Sequence, residues 1–247
     1  MEKSHIKGVG IWIRVSTEDQ AHGESPGRHI TFGYLESMDA TASINYLRSR
    51  APDEKIGVIG VSMGGAAFLL ASPQPEVQAV VLEMVYPTID EAAADRIKIR
   101  LGSWSGVLSP LLSIQLRLRL GISSAQLPPI DHLAGLTQAK LFIVGGDDLH
   151  TPLAESRRMF ETAPEPRQLW VVEGAPHTDL YKRTGPEYEH RVLEFFQGLR
   201  SSTKVHPLYT DASKAQSSTS LPLSTQCAFD RPLRQSVRSY PKSSWRW

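Results

Sequence analysis

The chain has 247 residues, a net charge of +1 and an apolar share of 40%, which suits one α/β domain or two small ones. The near-neutral charge gives no global argument for nucleic-acid binding, and the lone Cys227 excludes an internal disulfide framework and a cysteine-rich metal site. No apolar run approaches the roughly 20 residues of a membrane span, and no long apolar region follows the first residues. We therefore expect no membrane partner, no signal peptide and a cytoplasmic location.

The chain begins with a predicted buried strand over residues 6–15, which are rich in β-branched and aromatic side chains. The sequence Gly-Ile-Trp-Ile-Arg-Val-Ser-Thr, which contains Arg14 and Ser16, resembles the opening of serine site-specific recombinases. The resemblance covers only residues 6–28 and implies roles for Arg14 and Ser16 in DNA strand cleavage. Nothing downstream resembles the rest of a recombinase catalytic domain, so we favour a turn role for Ser16 and expect no nucleic-acid partner.

A second resemblance begins at His22, where His-Gly-Glu-Ser-Pro-Gly is similar to a segment that follows the fourth strand in α/β-hydrolases. It extends over about residues 22–200 and implies a hydrolase that lacks its first three strands. We interpret His22 itself as a loop residue, because its family position is structural. The junction of the two resemblances suggests a chimera, in which the strand at residues 8–15 fills the gap and pairs with the strand at residues 55–61.

A helix is predicted from a cap at Thr31 to about Arg50. Its apolar stripe is expected to contain Leu35, Met38, Ala42 and Leu47, with Tyr34 and Ile44 beside it.

The next segment, Gly60-Val-Ser62-Met-Gly64, ends an apolar strand and precedes a helix of small residues. A G-x-S-x-G sequence in this context is typical of a nucleophile elbow, which exposes the serine hydroxyl above a sheet. The flanking glycines allow the strand and helix to approach closely. The alternative is a glycine-rich buried strand and turn without any chemistry.

Residues 77–84 predict the following strand, whereas residues 88–130 show no strand pattern. Helices are predicted over residues 91–101 and 110–120, the second capped by Ser109, with Trp104 between them. The hydrolase resemblance implies that this segment, about residues 88–130, is a helical cap over an apolar pocket. An ordinary crossover helix with its packing is the alternative.

Two further strands are predicted at residues 139–144 and 168–172, and each precedes a helix, over residues 152–162 and 187–199. The strand–helix alternation from residue 31 to residue 200 predicts a mostly parallel, doubly wound α/β sheet. The hydrolase resemblance implies that it lacks its first strands. Residues 201–247 carry seven basic and two acidic residues among Ser, Thr and Pro, which predicts a disordered basic tail.

The hydrolase resemblance also implies a catalytic triad in the chain order Ser62, Asp148, His177. Asp148 is preferred to Asp147 because it lies three residues after Gly145, as the acid does in the family pattern. One oxyanion donor is expected at the backbone N–H of Met63, whereas the loop that normally supplies the second donor is missing.

The sequence therefore predicts a recombinase-like segment at residues 1–28, a hydrolase core at 29–200 and a tail at 201–247. The predicted activity is hydrolysis of an ester, thioester or amide of a small acyl substrate through an acyl-enzyme, without cofactor or metal. The incomplete oxyanion hole is expected to impair turnover. The alternatives are a recombinase-like protein that uses Ser16 and a non-catalytic chimeric fragment.

Overall fold

The computed structural model describes residues 9–14, 30–72, 74–102 and 105–201. Within these ranges, parallel strands form one sheet in the order in which the chain makes them. The strands are β1 (Val9–Arg14), β2 (Ile56–Val61), β3 (Val77–Glu83), β4 (Ala139–Gly145) and β5 (Arg167–Val172). The carboxyl ends of parallel strands meet at one edge of the sheet, which is where open α/β sheets bind their ligands.

Helices connect the strands, as the predicted alternation requires. They are α1 (Tyr34–Arg50), α2 (Met63–Leu70), α3 (Ile89–Leu101), α4 (Ser105–Leu120), α5 (Leu153–Thr162), α6 (Leu180–Thr184) and α7 (Pro186–Ser201). Two short 3₁₀ helices, Ser124–Gln126 and Pro129–Gly135, lead from α4 towards β4. The short helix α6 was not predicted from the sequence.

The N-terminal strand pairs with the elbow strand, which confirms the predicted pairing. β1 runs parallel to β2, with Val9 opposite Ile56 and Arg14 opposite Val61. The N-terminal segment thus joins the same sheet as the hydrolase-like strands. Ser16 and His22 lie outside the described residues, so the recombinase resemblance stays a prediction.

Apolar layers cover both faces of the sheet, which confirms the doubly wound arrangement. On one face, side chains of α1, α2 and α5 pack together, with Ile44, Phe68 and Met159 fully buried. On the other face, α7 packs through Val192 and Phe195 against strands β3, β4 and β5. A parallel sheet buried on both faces explains why its strands are almost continuously apolar.

The predicted apolar stripe of α1 is wrong. Leu35, Met38 and Ala42 are exposed, whereas Ala40 and Ile44 are buried and Leu47 packs against the core. The helix carries two apolar faces, and periodicity alone does not show which face the sheet covers. The N-cap of α1 is Gly33 and not Thr31, but Thr31 Oγ1 still accepts a hydrogen bond of 2.7 Å from the backbone N–H of Leu35 in the first turn.

Residues 88–130 form a helical insertion between β3 and β4, as predicted, but the start of α4 was placed too late. The helix begins at Ser105, so Ser109 and Pro110 lie inside it and not at its N-terminus. Trp104 and, apart from Ser201, the predicted tail lie outside the described residues. None of the described helices has the length and apolar character that crossing a membrane requires.

Candidate active site

Ser62 stands at the turn between β2 and α2, in the strained conformation that a nucleophile elbow requires. Its backbone has φ 49° and ψ −117°, and it occupies the N-cap position of α2. A non-glycine residue in this region costs roughly 1–3 kcal/mol. The backbone N–H of Ser62 donates a 2.7 Å hydrogen bond to the carbonyl oxygen of Glu83, which ties the elbow to the end of β3.

Two glycines make this elbow sterically possible. A Cβ atom on Gly60 would lie 2.6 Å from Cα of Gly65, and one on Gly65 would collide with the side chain of Val85. The strand and the first turn of α2 are therefore in backbone contact. This contact is the physical reason for the glycines that flank the serine in the sequence.

Asp148 and His177 meet at the same edge of the sheet, in the loops after β4 and β5. Nδ1 of His177 lies 2.7 Å from Oδ2 of Asp148, and the carboxylate side chain is fully buried. With Nδ1–H donating to the carboxylate, Nε2 of a neutral imidazole is left as the proton acceptor. This is the acid–base arrangement that orients a histidine for general base chemistry.

The loop after β4 holds the Asp148 carboxylate through further hydrogen bonds. Oδ1 accepts from the backbone N–H groups of His150 and Thr151 at 2.7 and 3.0 Å, and Oδ2 accepts from Thr151 Oγ1 at 2.6 Å. Burial by itself raises the pKa of Asp148. The hydrogen bond and the charge of His177, together with the hydrogen bonds from Thr151, lower this pKa by more than burial raises it. The net pKa is lowered, so the carboxylate is ionised at neutral pH.

Thr151 is the residue that sequence reasoning missed as part of the site. It is buried, and it donates to both carboxylate oxygens of Asp148. The signal was present in the spacing Asp-x-x-Thr, which allows a local side-chain-to-backbone turn.

The two other polar neighbours differ in exposure. Asp147 is an exposed turn residue whose backbone N–H donates to the carbonyl oxygen of Ala175. His150, to which the sequence assigned no role, has its ring 5.2 Å from the His177 ring, centroid to centroid. Burial, and then the charge of His177, lower the pKa of His150, so it stays neutral beside the base.

The structure does not join Ser62 to His177. Within the described part of the chain, the buried Oγ atom of Ser62 has no hydrogen-bond partner. Adjacent strands are about 4.8 Å apart, and β2 and β5 are separated by two other strands, so the His177 loop has to reach back across the sheet. Catalytic hydrogen bonds of ligand-free enzymes are often loose and tighten only with substrate.

Met63, the residue after Ser62, begins α2. The backbone N–H groups in the first turn of a helix have no partner within the helix, and the helix dipole favours an anion there. The position of Met63 is compatible with the oxyanion donor that the sequence predicted, and that role stays a prediction. The loop preceding residue 30, where a second donor was sought, lies outside the described residues.

Helix α3 of the insertion docks onto α5, immediately after the Asp148 loop. Arg158 and Glu91 form an ion pair of 2.6 Å, and one turn further along, the carboxyl groups of Asp95 and Glu155 face each other. Burial, and then the charges of Asp95 and Glu91, raise the pKa of Glu155 to about 8. The folded protein holds this proton more tightly than the unfolded chain, so stability falls as the pH rises towards 8.

No group of three or more His, Cys, Asp or Glu side chains in the described ranges is arranged to hold a metal ion.

The sheet order, the elbow and the loops after β4 and β5 together define an α/β-hydrolase fold. Solved structures support this assignment at the level of the fold. The esterase Pf2001 of Pyrococcus furiosus matches with a TM-score of 0.55 and 24% identity, over 72% of this chain and 67% of that one. A lipase-esterase related protein of Clostridium acetobutylicum matches with a TM-score of 0.51 and 21% identity, over 70% and 79%. A puromycin-hydrolyzing peptidase of Mycobacterium tuberculosis matches with a TM-score of 0.53 and 16% identity, over 68% and 26%.

Among curated proteins, the chain is similar to the uncharacterized protein YqkD of Bacillus subtilis (strain 168), with 26% identity over 199 residues. The match covers 78% of this chain and 65% of that protein, which is less than two thirds of the relative's length. No protein-family model matches the sequence.

Proposed function

We propose that the protein is a serine hydrolase that cleaves an ester, thioester or amide of a small acyl substrate through Ser62, His177 and Asp148. The observation that carries the proposal is the 2.7 Å contact between His177 and a fully buried Asp148, at the sheet edge where Ser62 occupies a strained elbow. An ion pair that served only stability would not require Ser62 to adopt a positive φ.

In the first chemical step, Oγ of Ser62 attacks the substrate carbonyl carbon while Nε2 of His177 takes the hydroxyl proton. The negative charge of Asp148 stabilises the imidazolium that forms. Ser62 Oγ is buried and has no hydrogen-bond partner among the described residues, so its hydroxyl is available for this proton transfer. The transfer would take place once the substrate draws the His177 loop towards Ser62. The C–X bond then breaks, and His177 returns the proton to the leaving group.

In the second step, water adds to the Ser62 ester with His177 again as base, and the acid product leaves. The developing oxyanion lies beside the N-terminus of α2, where the Met63 N–H is the assigned donor. A site with a single donor is expected to turn over roughly 100- to 1000-fold more slowly than one with two. The proposal therefore allows for an enzyme with slow turnover.

The insertion made of α3 and α4 is proposed to act as the cap of this site. Burial and the charge of His177 lower the pKa of His150 most, and the charges of Arg96 and Arg100 on α3 lower it further. Two structural neighbours, an esterase and a lipase-esterase related protein, have names that are consistent with an ester substrate. The recombinase alternative through Arg14 and Ser16 has no described contact in its favour.

The test is hydrolysis of p-nitrophenyl acetate and butyrate by the full chain. We expect measurable release of p-nitrophenol that Ser62→Ala and His177→Ala each lower by several orders of magnitude. The matched control is Ser72→Ala, which changes a partly exposed serine just after α2 and should leave the rate unchanged. Equal rates in the wild type and Ser62→Ala would contradict the proposal, and no hydrolysis of any ester would favour the non-catalytic alternative.

A further inference from the structure

The surface of α4 and of the last turn of α3 combines exposed apolar side chains with positive charge. Residues 96–130 contain five basic residues (Arg96, Lys98, Arg100, Arg117 and Arg119) and no acidic residue. The remaining residues therefore carry a net charge of −4, because the whole chain is +1. This segment and residues 201–247 are thus both basic, whereas the other residues together are net acidic.

Helix α4 exposes a row of large apolar side chains. Leu111, Ile114 and Leu118 are 51%, 53% and 78% exposed. At 3.6 residues per turn they lie within about 60° of one another, whereas Leu116 and Leu120 point to the opposite side and pack against the core. The outer row thus keeps about half or more of its apolar side-chain surface exposed.

The two arginines of α4 flank the row. Arg117 and Arg119 are both exposed and fall on either side of the apolar row, roughly 60–80° from its edges. The last turn of α3 adds exposed Ile99 and Leu101 with Lys98 and Arg100. An apolar row bordered by long basic side chains is the pattern of a helix that lies in the plane of a membrane surface.

We propose that α4 and the last turn of α3 dock the protein onto an anionic lipid surface. The apolar row would enter the boundary between headgroups and acyl chains, while the arginines pair with headgroup phosphates and carboxylates. Beside the row, Ile114, Arg117 and Leu118 line a depression with Ser123 and Ser124, which supplies hydroxyl groups for a headgroup. The sequence has no apolar run long enough to span a membrane, but peripheral docking does not need such a run.

Nucleic acid fits this surface less well than lipid. A phosphate backbone would pair with the arginines but would leave the exposed leucine and isoleucine side chains without a partner. Binding to single strands also relies on aromatic stacking, and the described side chains of α4 are aliphatic or polar. The proposal goes beyond hydrolysis and is independent of it, because lipid binding is measured without turnover.

The experiment is flotation of the full chain with phosphatidylcholine vesicles, with and without phosphatidylserine. We expect partitioning only with phosphatidylserine, weakened by salt. Arg117→Gln with Arg119→Gln should lower the partition coefficient about 30-fold, at roughly five-fold per arginine. Ile114→Ser with Leu118→Ser should lower it at least about ten-fold.

Matched control variants test whether vesicle binding depends on this surface or on another part of the chain. Met38→Ser with Tyr46→Ser changes two side chains of similar exposure on α1, 65% and 63%, and should leave the partitioning unchanged. Arg231→Gln, Arg234→Gln and Arg238→Gln together test the basic residues near the C-terminus and should also have little effect. Thermal unfolding of each variant checks that the fold is kept.

Several results would overturn the proposal. One is the absence of binding to anionic vesicles, and another is binding that only the C-terminal arginine variant abolishes. Binding that depends on the α4 arginines but not on Ile114 and Leu118 would point to an acidic polymer such as nucleic acid. A dimer that Ile114→Ser with Leu118→Ser dissociates would assign the row to a second copy of the chain.

Discussion

The elbow after β2 and the loop after β4 position their side chains by different means. The Asp148 carboxylate is fixed by hydrogen bonds from His150, Thr151 and His177. Ser62 Oγ has no such bond among the described residues and is placed by the backbone, through φ 49° and the glycine contact beneath it. One half of the site is thus held by polar bonding and the other by steric fit.

The difference suits the two tasks. An acid that must stay ionised and orient a histidine benefits from donors that stabilise its charge. A nucleophile has to release its proton, and a strong hydrogen bond to another group would compete with that step. Substitutions in each half test this difference separately.

The first variant removes the charge of Asp148, the central residue of the polar half of the site. Asp148→Asn keeps the size of the side chain but favours the wrong histidine tautomer, so we expect esterase kcat to fall roughly 10⁴-fold. The control is Asp147→Asn, an adjacent exposed aspartate, which should keep kcat within about two-fold. Equal losses in the two variants would show that Asp148 does not orient the base.

The second variant breaks the steric half. Gly60→Ala places a Cβ 2.6 Å from Cα of Gly65, in backbone that cannot yield without moving α2. We expect the free energy of unfolding to fall by roughly 3 kcal/mol, measured by urea denaturation. Gly198→Ala, where a Cβ meets no atom within 4 Å in α7, should be neutral or slightly stabilising. Equal stability of the two variants would contradict close packing at the elbow.

The third variant weakens the polar half without removing the acid. Thr151→Val removes the hydroxyl that donates to Oδ2, so the pKa of Asp148 should rise and stability at neutral pH should fall by about 2 kcal/mol. Asp148 has a lowered pKa, so its stabilisation is present above its unfolded pKa and is lost as the pH falls through the folded pKa. The difference between variant and wild type should therefore shrink below about pH 4.

Urea denaturation between pH 3 and pH 8 would measure this effect. Thr162→Val removes an exposed hydroxyl of α5 and should change stability by less than about 0.5 kcal/mol at any pH. A difference that does not vary with pH would show that the threonine acts through packing alone.

The fourth variant tests the backbone strain in the steric half of the site. Ser62→Gly relieves the positive-φ strain, because glycine populates this region freely, and should stabilise the fold by roughly 1 kcal/mol relative to Ser62→Ala. Both variants should be inactive. If Ser62→Gly melts below Ser62→Ala, the elbow stores no strain.

Much of this architecture could be predicted from local sequence patterns. The glycine at position 60 suits the elbow because a Cβ there would meet Gly65 five residues further along the chain. The strands were placed to within about two residues at most ends. The pairing of β1 with β2 also followed from the sequence. These features depend on short-range sterics or on continuous apolar runs.

Other features depend on tertiary contacts that one sequence does not show. The burial of Ile44 in place of Leu35 reflects which face of α1 the core covers. The start of α4 at Ser105 and the contact of Asp95 with Glu155 arise from how the insertion packs. The separation of Ser62 Oγ from His177 likewise depends on the loops between them. The placement of Ser62, Asp148 and His177 after successive strands was predictable, but the distances between them were not.

The most direct test of the account is the reaction of the full chain with a fluorophosphonate, followed by mass spectrometry of its peptides. We predict one phosphonyl adduct, on the peptide that contains Ser62. The reaction should be strongly slowed in His177→Ala and Asp148→Asn and retained in Asp147→Asn. Absence of the adduct under conditions where the protein is folded, or an adduct formed equally fast without His177, would contradict the assignment of Ser62 as the activated nucleophile.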